Sequence, residues 1–277
     1  MSAEGWFFSE KYAKIYGSER SSAASAEKGT VIRMNLDKII ALGNGVTVFR
    51  DGEKSVKVFV RNPGAGGLLS EAMKQAVMYE SGIAVPRVRE VACADGVQAI
   101  VSDFAAGVTL GTPIGKGRAE ASVCAAQVVG FQKEMHEKSS AMLPDVTGRL
   151  YAALRHPELP SAFAADAEDA ARMIAGLPYG RRRICHGKLS PDNLIAGDGG
   201  KLTATGCGNA FSGLPELDAA ITYGRSLCLY GGDFAEEYLR VWREAVGPID
   251  DGVLKCGIAI AFAGVGSDNR KKLLEMI

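Results

Sequence analysis

Residues 185–193 read CHGKLSPDN. A histidine and a glycine are followed by a lysine, and five residues later, behind a proline, by an asparagine. Pro191 and Asp192 are turn formers, so the stretch reads as a loop. Downstream, "KLTAT" (201–205) reads as a short strand. Gly206-Cys207-Gly208 follows, and then "PELDAAITYGRSLCLYG", a helix with Asp218 in its first turn. Upstream, from Gly107, the chain is helical in pattern. "GRAEASVCAAQVVGFQKEMHEKS" is a long amphipathic candidate, and "LPDVTGRLYAAL" and "PSAFAADAEDAARMIAGL" follow as two more helices. "DFAEEYLRVWREAVG" and "DDGVLKCGIAIAFAGV" extend the helical part to the C-terminus.

The segment before Gly107 has a different texture. "KIIALGNGVTVFRDGEKSVKVFV" reads as three strands separated by a Gly turn and an Asp51-Gly52 turn. In the third strand Val56, Val58 and Val60 share one face, and Ser55, Lys57 and Phe59 the other. "NPGAGG" (62–67) reads as a loop. "LLSEAMKQAVMYESG" reads as a helix ended by Gly82, and "VREVACADGVQAIVSDF" as two strands around Asp95-Gly96. The expected organisation is an extension or linker over 1–33, a β-rich N-lobe over 34–104 and a helical C-lobe over 105–277. Strands and helices are segregated, which marks an α+β fold with an interlobe cleft.

Some side chains fall where phosphoryl transfer needs them. That chemistry requires backbone close to phosphate, a lysine held by a glutamate, a carboxylate to take the acceptor's proton, and oxygen ligands for Mg²⁺. Gly43 and Gly45 flank Asn44 between two strands, where backbone can approach phosphate. Lys57 lies in the third strand and Glu71 in the following helix, the order in which kinases place their ion pair. Taken singly, Lys57 is equally a solvent-facing strand residue, and Glu71 an N-terminal helix charge.

The loop then resembles that of the aminoglycoside phosphotransferase and choline-kinase-like enzymes, which have the protein-kinase-like two-lobed fold. Their loop reads H-G-D-x-x-P-x-N; here it is His186-Gly187-Lys188-Leu189-Ser190-Pro191-Asp192-Asn193. Their metal motif, I-D-F-G or I-D-W, corresponds to Thr205-Gly206-Cys207-Gly208. A downstream aspartate corresponds to Asp218. "ESGIAVPRV" and "AIVSDFAAGVTL" resemble the family's helix-to-strand and hinge segments, the latter with Ser102 and Phe104. The resemblance covers about residues 34–245. It implies a nucleotide site using Gly43, Gly45, Lys57, Glu71, Ser102 and Phe104, and a loop in which Asn193 is retained. It also implies that Asp218 holds the loop backbone, that His186 packs beneath the metal motif, and that His136 plays a packing role. His156 carries no reading.

Two positions depart from the family pattern. Lys188 stands where the base aspartate is expected, and Gly206 where the metal aspartate is expected. An ammonium donates but does not accept, and glycine offers no ligand atom. Together the changes make the site three charges more positive than in an active relative. Lys188 is expected either to neutralise phosphate in place of a metal or to pair with an internal carboxylate. The resulting expectation is a pseudokinase that binds ATP, another nucleotide or a small molecule in the cleft, with Mg²⁺ binding weak or absent and no protein metal site. An active phosphotransferase using Asp192 or Asp198 is the alternative. A third reading makes Cys185 and Cys207 a redox pair or part of a soft-metal site, against two buried thiols filling space.

Bulk properties restrict partners. Lys+Arg and Asp+Glu are both 32 in 277 residues, so no global basic field argues for nucleic acid. No apolar run reaches the ~20 residues needed to cross a bilayer, and no secretory signal is evident. Six scattered cysteines without a C-x-x-C pair fit a reduced, cytoplasmic setting. The aromatic "GWFFSEKYAKIYG" within 1–33 is a docking segment for a protein partner or a loosely docked tail.

Overall fold

The computed structural model describes residues 38–43, 45–94, 97–112 and 118–276. The extension over 1–33 and the Asp95-Gly96 turn lie outside the described residues. The chain divides into two units. The first ends at Leu68 and also takes Val88–Phe104; the second comprises Leu69–Arg87 and the chain from Ala105.

The first unit is a five-stranded antiparallel sheet. Its strands are β1 (Lys38–Gly43), β2 (Val46–Asp51), β3 (Lys54–Phe59), β4 (Val88–Ala94) and β5 (Val97–Asp103), in the order β1-β2-β3-β5-β4. Period-two alternation decides which face is buried. Val56 and Val58 are fully buried with Phe49, Ala99 and Val101, while Ser55, Lys57 and Phe59 are half-buried. Val60 lies beyond the strand and is exposed, departing from the expected valine face. Lys57 sits opposite Val48 and Ile100 in the ladders.

Helix α1 (Gly64–Glu80) starts earlier than the pattern suggests. The Asn62 side chain accepts the Gly64 N–H at 2.7 Å, which draws much of the expected NPGAGG loop into the helix. From Leu69 onward this helix belongs to the second unit.

The second unit is mainly helical: α2 (Arg118–His136), α3 (Thr147–Leu154), α4 (Ser161–Asp166), α5 (Glu168–Ala175), α6 (Pro215–Tyr230), α7 (Gly232–Ala245), α8 (Asp251–Ala263) and α9 (Ser267–Leu274). The expected single helix over 160–177 is two, broken at Ala167. That residue is fully buried, and its carbonyl accepts the Cys256 thiol of α8. Helix α9 has little apolar periodicity; Leu273 anchors it in the core, and Arg270 pairs with Glu158 at 3.0 Å. Helices α6 and α8 approach closely through small residues. A methyl group on Gly257 would lie 2.3 Å from the Ala220 Cβ, and one on Gly224 would lie 2.9 Å from the Ala261 Cβ.

Two small sheets frame the loop. Strand β7 (Arg183–Cys185) pairs antiparallel with β10 (Phe211–Gly213). Strand β8 (Leu194–Ala196) lies between β6 (Val108–Thr109) and β9 (Leu202–Ala204). The nine residues of CHGKLSPDN thus run from the end of β7 to the start of β8.

Candidate functional site

The loop is fixed from beneath by one carboxylate. Asp218, in the first turn of α6, has no solvent exposure. Its Oδ1 accepts the Gly187 N–H at 2.7 Å, and its Oδ2 accepts the His186 N–H at 3.2 Å. Oδ2 also lies 3.1 Å from His136 Nε2 and accepts from Gln132 Nε2 at 3.4 Å. Burial by itself would raise this carboxyl. The hydrogen bond and charge of His136, with the Gly187 N–H, outweigh burial and hold it below the usual carboxylate range. The network continues inward: the Tyr238 hydroxyl donates to Gln132 Oε1 at 2.6 Å, and Gln132 Nε2 donates to Thr222 Oγ1 at 3.1 Å. The Gln132, Thr222 and Tyr238 side chains on α2, α6 and α7 thus partner one another beneath the loop.

His186 is also fully buried. Its Nε2 lies 3.0 Å from the Thr205 carbonyl, which only an N–H can satisfy, so the proton sits on Nε2. Burial, opposed by Asp218, pushes its pKa down to about 4. The ring is therefore neutral at pH 7 and ties the loop to the end of β9.

Arg149 on α3 closes the loop from the other side. Its Nη2 donates to the Gly187 carbonyl at 2.8 Å and its Nη1 to the Asn209 carbonyl at 3.4 Å. Burial lowers its pKa to about 10, still cationic at neutrality. Gly187 has φ +71°, and a Cβ there would lie 2.2 Å from the Asn209 carbonyl oxygen. Only glycine fits this left-handed, crowded position.

The altered positions come together at Asn193. Its Nδ2 donates to the Lys188 carbonyl at 2.7 Å, which leaves Oδ1 as its side-chain acceptor. Gly206 adopts φ +76°, and a Cβ built on it would lie 3.5–3.6 Å from the Asn193 amide. Position 206 thus faces Asn193 but presents no donor atom. Asn193 contributes one amide oxygen and position 206 no side-chain ligand, where Mg²⁺ takes several hard oxygen ligands. The Lys188 side chain is half-buried and, together with Arg149, Asn209 and Arg225, lines a cavity of about 480 Å³.

Helix α1 contributes to the neighbouring segment. The Lys74 Nζ donates to the Gly208 carbonyl at 3.0 Å, and the Glu71 carboxylate packs on the Gly208 Cα. Burial and Arg149 lower the Lys74 pKa, against the opposing charge of Glu71. Gly43, Gly45, Lys57, Ser102 and Phe104 belong to the first unit. Gly45 turns with φ +79°, and its carbonyl accepts the Val60 N–H at 2.8 Å. Lys57 Nζ lies 5.2 Å from the Phe59 ring centroid. Ser102 is buried, and Phe104 lies under the Arg50 guanidinium, 4.3 Å away.

Asp192 is exposed in the turn that ends the loop, beside Gly111, and its N–H donates to the Tyr230 hydroxyl at 3.2 Å. Asp198 is exposed in the β8–β9 connection. Cys185 and Cys207 are buried and form no disulfide. Cys185 donates to the Arg183 and Leu214 carbonyls, and burial pushes its pKa well up. Among the described residues one set of potential metal ligands converges: His136, Cys185 and Asp218. Neither His186 nor Cys207 joins it, and the Asp218 carboxylate is already engaged by the loop. Arg149, Gln132 and Arg225 are the site residues that sequence reasoning missed. They sit mid-helix without a motif, and only the fold brings them to the loop.

No protein-family model matches the sequence, and no curated protein matches it significantly. Solved structures do match in fold. Aminoglycoside-3'-phosphotransferase of type VIII is 20% identical, over 81% of this chain and 90% of its own, with a TM-score of 0.59. A thermostable mutant of aminoglycoside phosphotransferase APH(4)-Ia, in ternary complex with ADP and hygromycin B, is 14% identical over 86% and 89%, with a TM-score of 0.61. A choline/ethanolamine kinase family protein from Mesorhizobium loti is 15% identical over 86% and 90%, with a TM-score of 0.50. With its small antiparallel sheet unit and larger helical unit, the chain has the protein-kinase-like fold of the aminoglycoside phosphotransferases and choline kinases.

Proposed function

We propose that this protein is a pseudokinase: a kinase-fold protein that binds a nucleotide and transfers its phosphoryl group poorly or not at all. The observation that carries the reading is the pair of positions at Asn193. An ammonium-bearing residue stands at 188 and a side-chain-free residue at 206, while the surrounding loop is tied down by Asp218, His186 and Arg149. The scaffold that would present a base and a metal ligand is intact, and the two acidic groups are missing from it. Lys188 is at hand to neutralise phosphate charge that Mg²⁺ neutralises in active relatives. Nucleotide binding is supported by the fold, since a structural neighbour holds ADP. Gly43, Gly45, Lys57, Glu71, Ser102 and Phe104 are the residues proposed to meet it. Asp192 and Asp198 lie in exposed turns, and neither replaces a base within the Asp218-anchored part of the loop.

Calorimetry against ATP, GTP and ADP, each with and without Mg²⁺, tests this. Binding whose affinity Mg²⁺ leaves unchanged within about twofold is the expected result, with no ATP-dependent transfer by the unaltered chain. The double variant Lys188→Asp/Gly206→Asp is expected to gain Mg²⁺ dependence. Asp tolerates the left-handed conformation at 206 better than most residues, and its Cβ meets only ordinary contacts there. Robust turnover by the unaltered protein, or no nucleotide binding under any condition, refutes the proposal.

A further inference from the structure

The cavity lined by Lys188 is rich in positive charge. It measures about 480 Å³, a metabolite-sized volume, and its lining holds Arg149, Lys188, Arg225 and His156 but no aspartate or glutamate. Asp218, which acts on Arg149, is spent on the loop, and Asp192, which acts on Arg225, is exposed.

Arg225 is the distinctive member. It lies on α6, more than nine-tenths buried, and its Nε is enclosed without a hydrogen-bond partner. It has no ion pair among the described residues. A buried guanidinium without an ion-pair partner is costly, and such groups are held for a ligand or paired within the protein. The α6–α8 seam through Gly224 and Ala261 fixes Arg225 at the cavity wall, and Ile260 and Ala261 form the apolar side beside it. Arg149 spends two of its donors on loop carbonyls and keeps its positive charge.

We infer that this cavity binds a small organic anion, a phosphate monoester of metabolite size. Arg225 makes the direct ionic contact, Lys188 and Arg149 supply further positive field, and the ligand's body rests on the Ile260–Ala261 wall. The inference rests on the pseudokinase reading only for identifying this side of Lys188 as the acceptor side; the anion's binding does not depend on transfer. Aminoglycosides and choline, being cations, are excluded as occupants.

The test uses the full chain without nucleotide. Inorganic phosphate and glycerol 3-phosphate are titrated by thermal shift and calorimetry, with kanamycin as the cationic control. Both phosphates are expected to bind, glycerol 3-phosphate more tightly, and kanamycin is not. Arg225→Met is expected to weaken phosphate binding at least tenfold and to raise the melting temperature in phosphate-free buffer, because it removes an unpaired buried charge. Arg225→Lys is expected to retain part of the affinity. Failure of both phosphates to bind, unchanged affinity in Arg225→Met, or kanamycin binding in their place overturns the inference. A parallel assay for ATP turnover separates the two readings. Turnover with anion binding intact refutes the pseudokinase alone, and absence of both turnover and anion binding refutes the anion site alone.

Discussion

Replacing Asp218 by Asn changes one atom and removes one charge, yet it strikes the node on which the loop hangs. The carboxylate collects donors from Gly187, His186, Gln132 and His136 at 2.7–3.4 Å with no solvent exposure. An amide keeps one acceptor oxygen and turns an NH₂ toward at least one of those donors. If the NH₂ takes the Oδ1 place it faces the Gly187 N–H; in the Oδ2 place it faces the other three. Removing one partner of a buried charged network costs about 3–5 kcal/mol. At ~2–4 °C per kcal/mol for a domain of this size, the melting temperature should fall by about 6–20 °C. Scanning calorimetry at pH 7 measures this, and amide exchange at Gly187 reports whether the loop itself has loosened. The sign with pH follows from the carboxyl being held below its ordinary range. Its stabilisation is present above the unfolded value of about 3.9 and is lost as pH falls further, so wild type and variant should converge in acid. A loss under about 1 kcal/mol, with Gly187 still protected, would show that the charge does not hold the loop.

Two further perturbations read other parts of the same construction. His186 is neutral in the fold with a pKa of about 4, against about 6.5 unfolded, so folding should weaken as pH drops from 6.5 toward 4, by about 3 kcal/mol in total; urea titrations across that window, repeated on His186→Gln, should show the slope diminished in the variant, and an unchanged slope would assign it elsewhere. Gly187→Ala should cost more than about 3 kcal/mol, since it adds backbone overlap to the left-handed penalty, whereas Gly82→Ala, at φ +81° with nothing within 4 Å, should cost only about 1–2 kcal/mol; equal losses in chemical denaturation would contradict the geometry.

Much of this architecture was legible in the chain because it is written locally. Alternating Val56 and Val58 announce a half-buried strand, and the segregation of strands before Gly107 from helices after it announces the fold class. The position of Asp218 beneath the loop was legible because His186, Gly187 and Asn193 keep their spacing. What escaped is what tertiary contact decides. Ala167 breaks a helix through a bond to Cys256, and Asn62 starts another four residues ahead of its apolar pattern. Arg149 and Arg225 read as ordinary helix cations in "TGRLYAAL" and "ITYGRSLCLY". Nothing in their neighbourhoods says that one clasps the loop and the other is enclosed with its Nε unpartnered.

The seam between α6 and α8 also limits how the cavity can change over time. Gly224 and Gly257 leave no room for even a methyl group, so the rear wall cannot be remodelled by single substitutions without prising two core helices apart. Ala152 and Ala263 line the same space from exposed positions and carry no such restriction. Divergence in what the protein accepts should accumulate at the mouth, leaving the back of the chamber unaltered across its descendants.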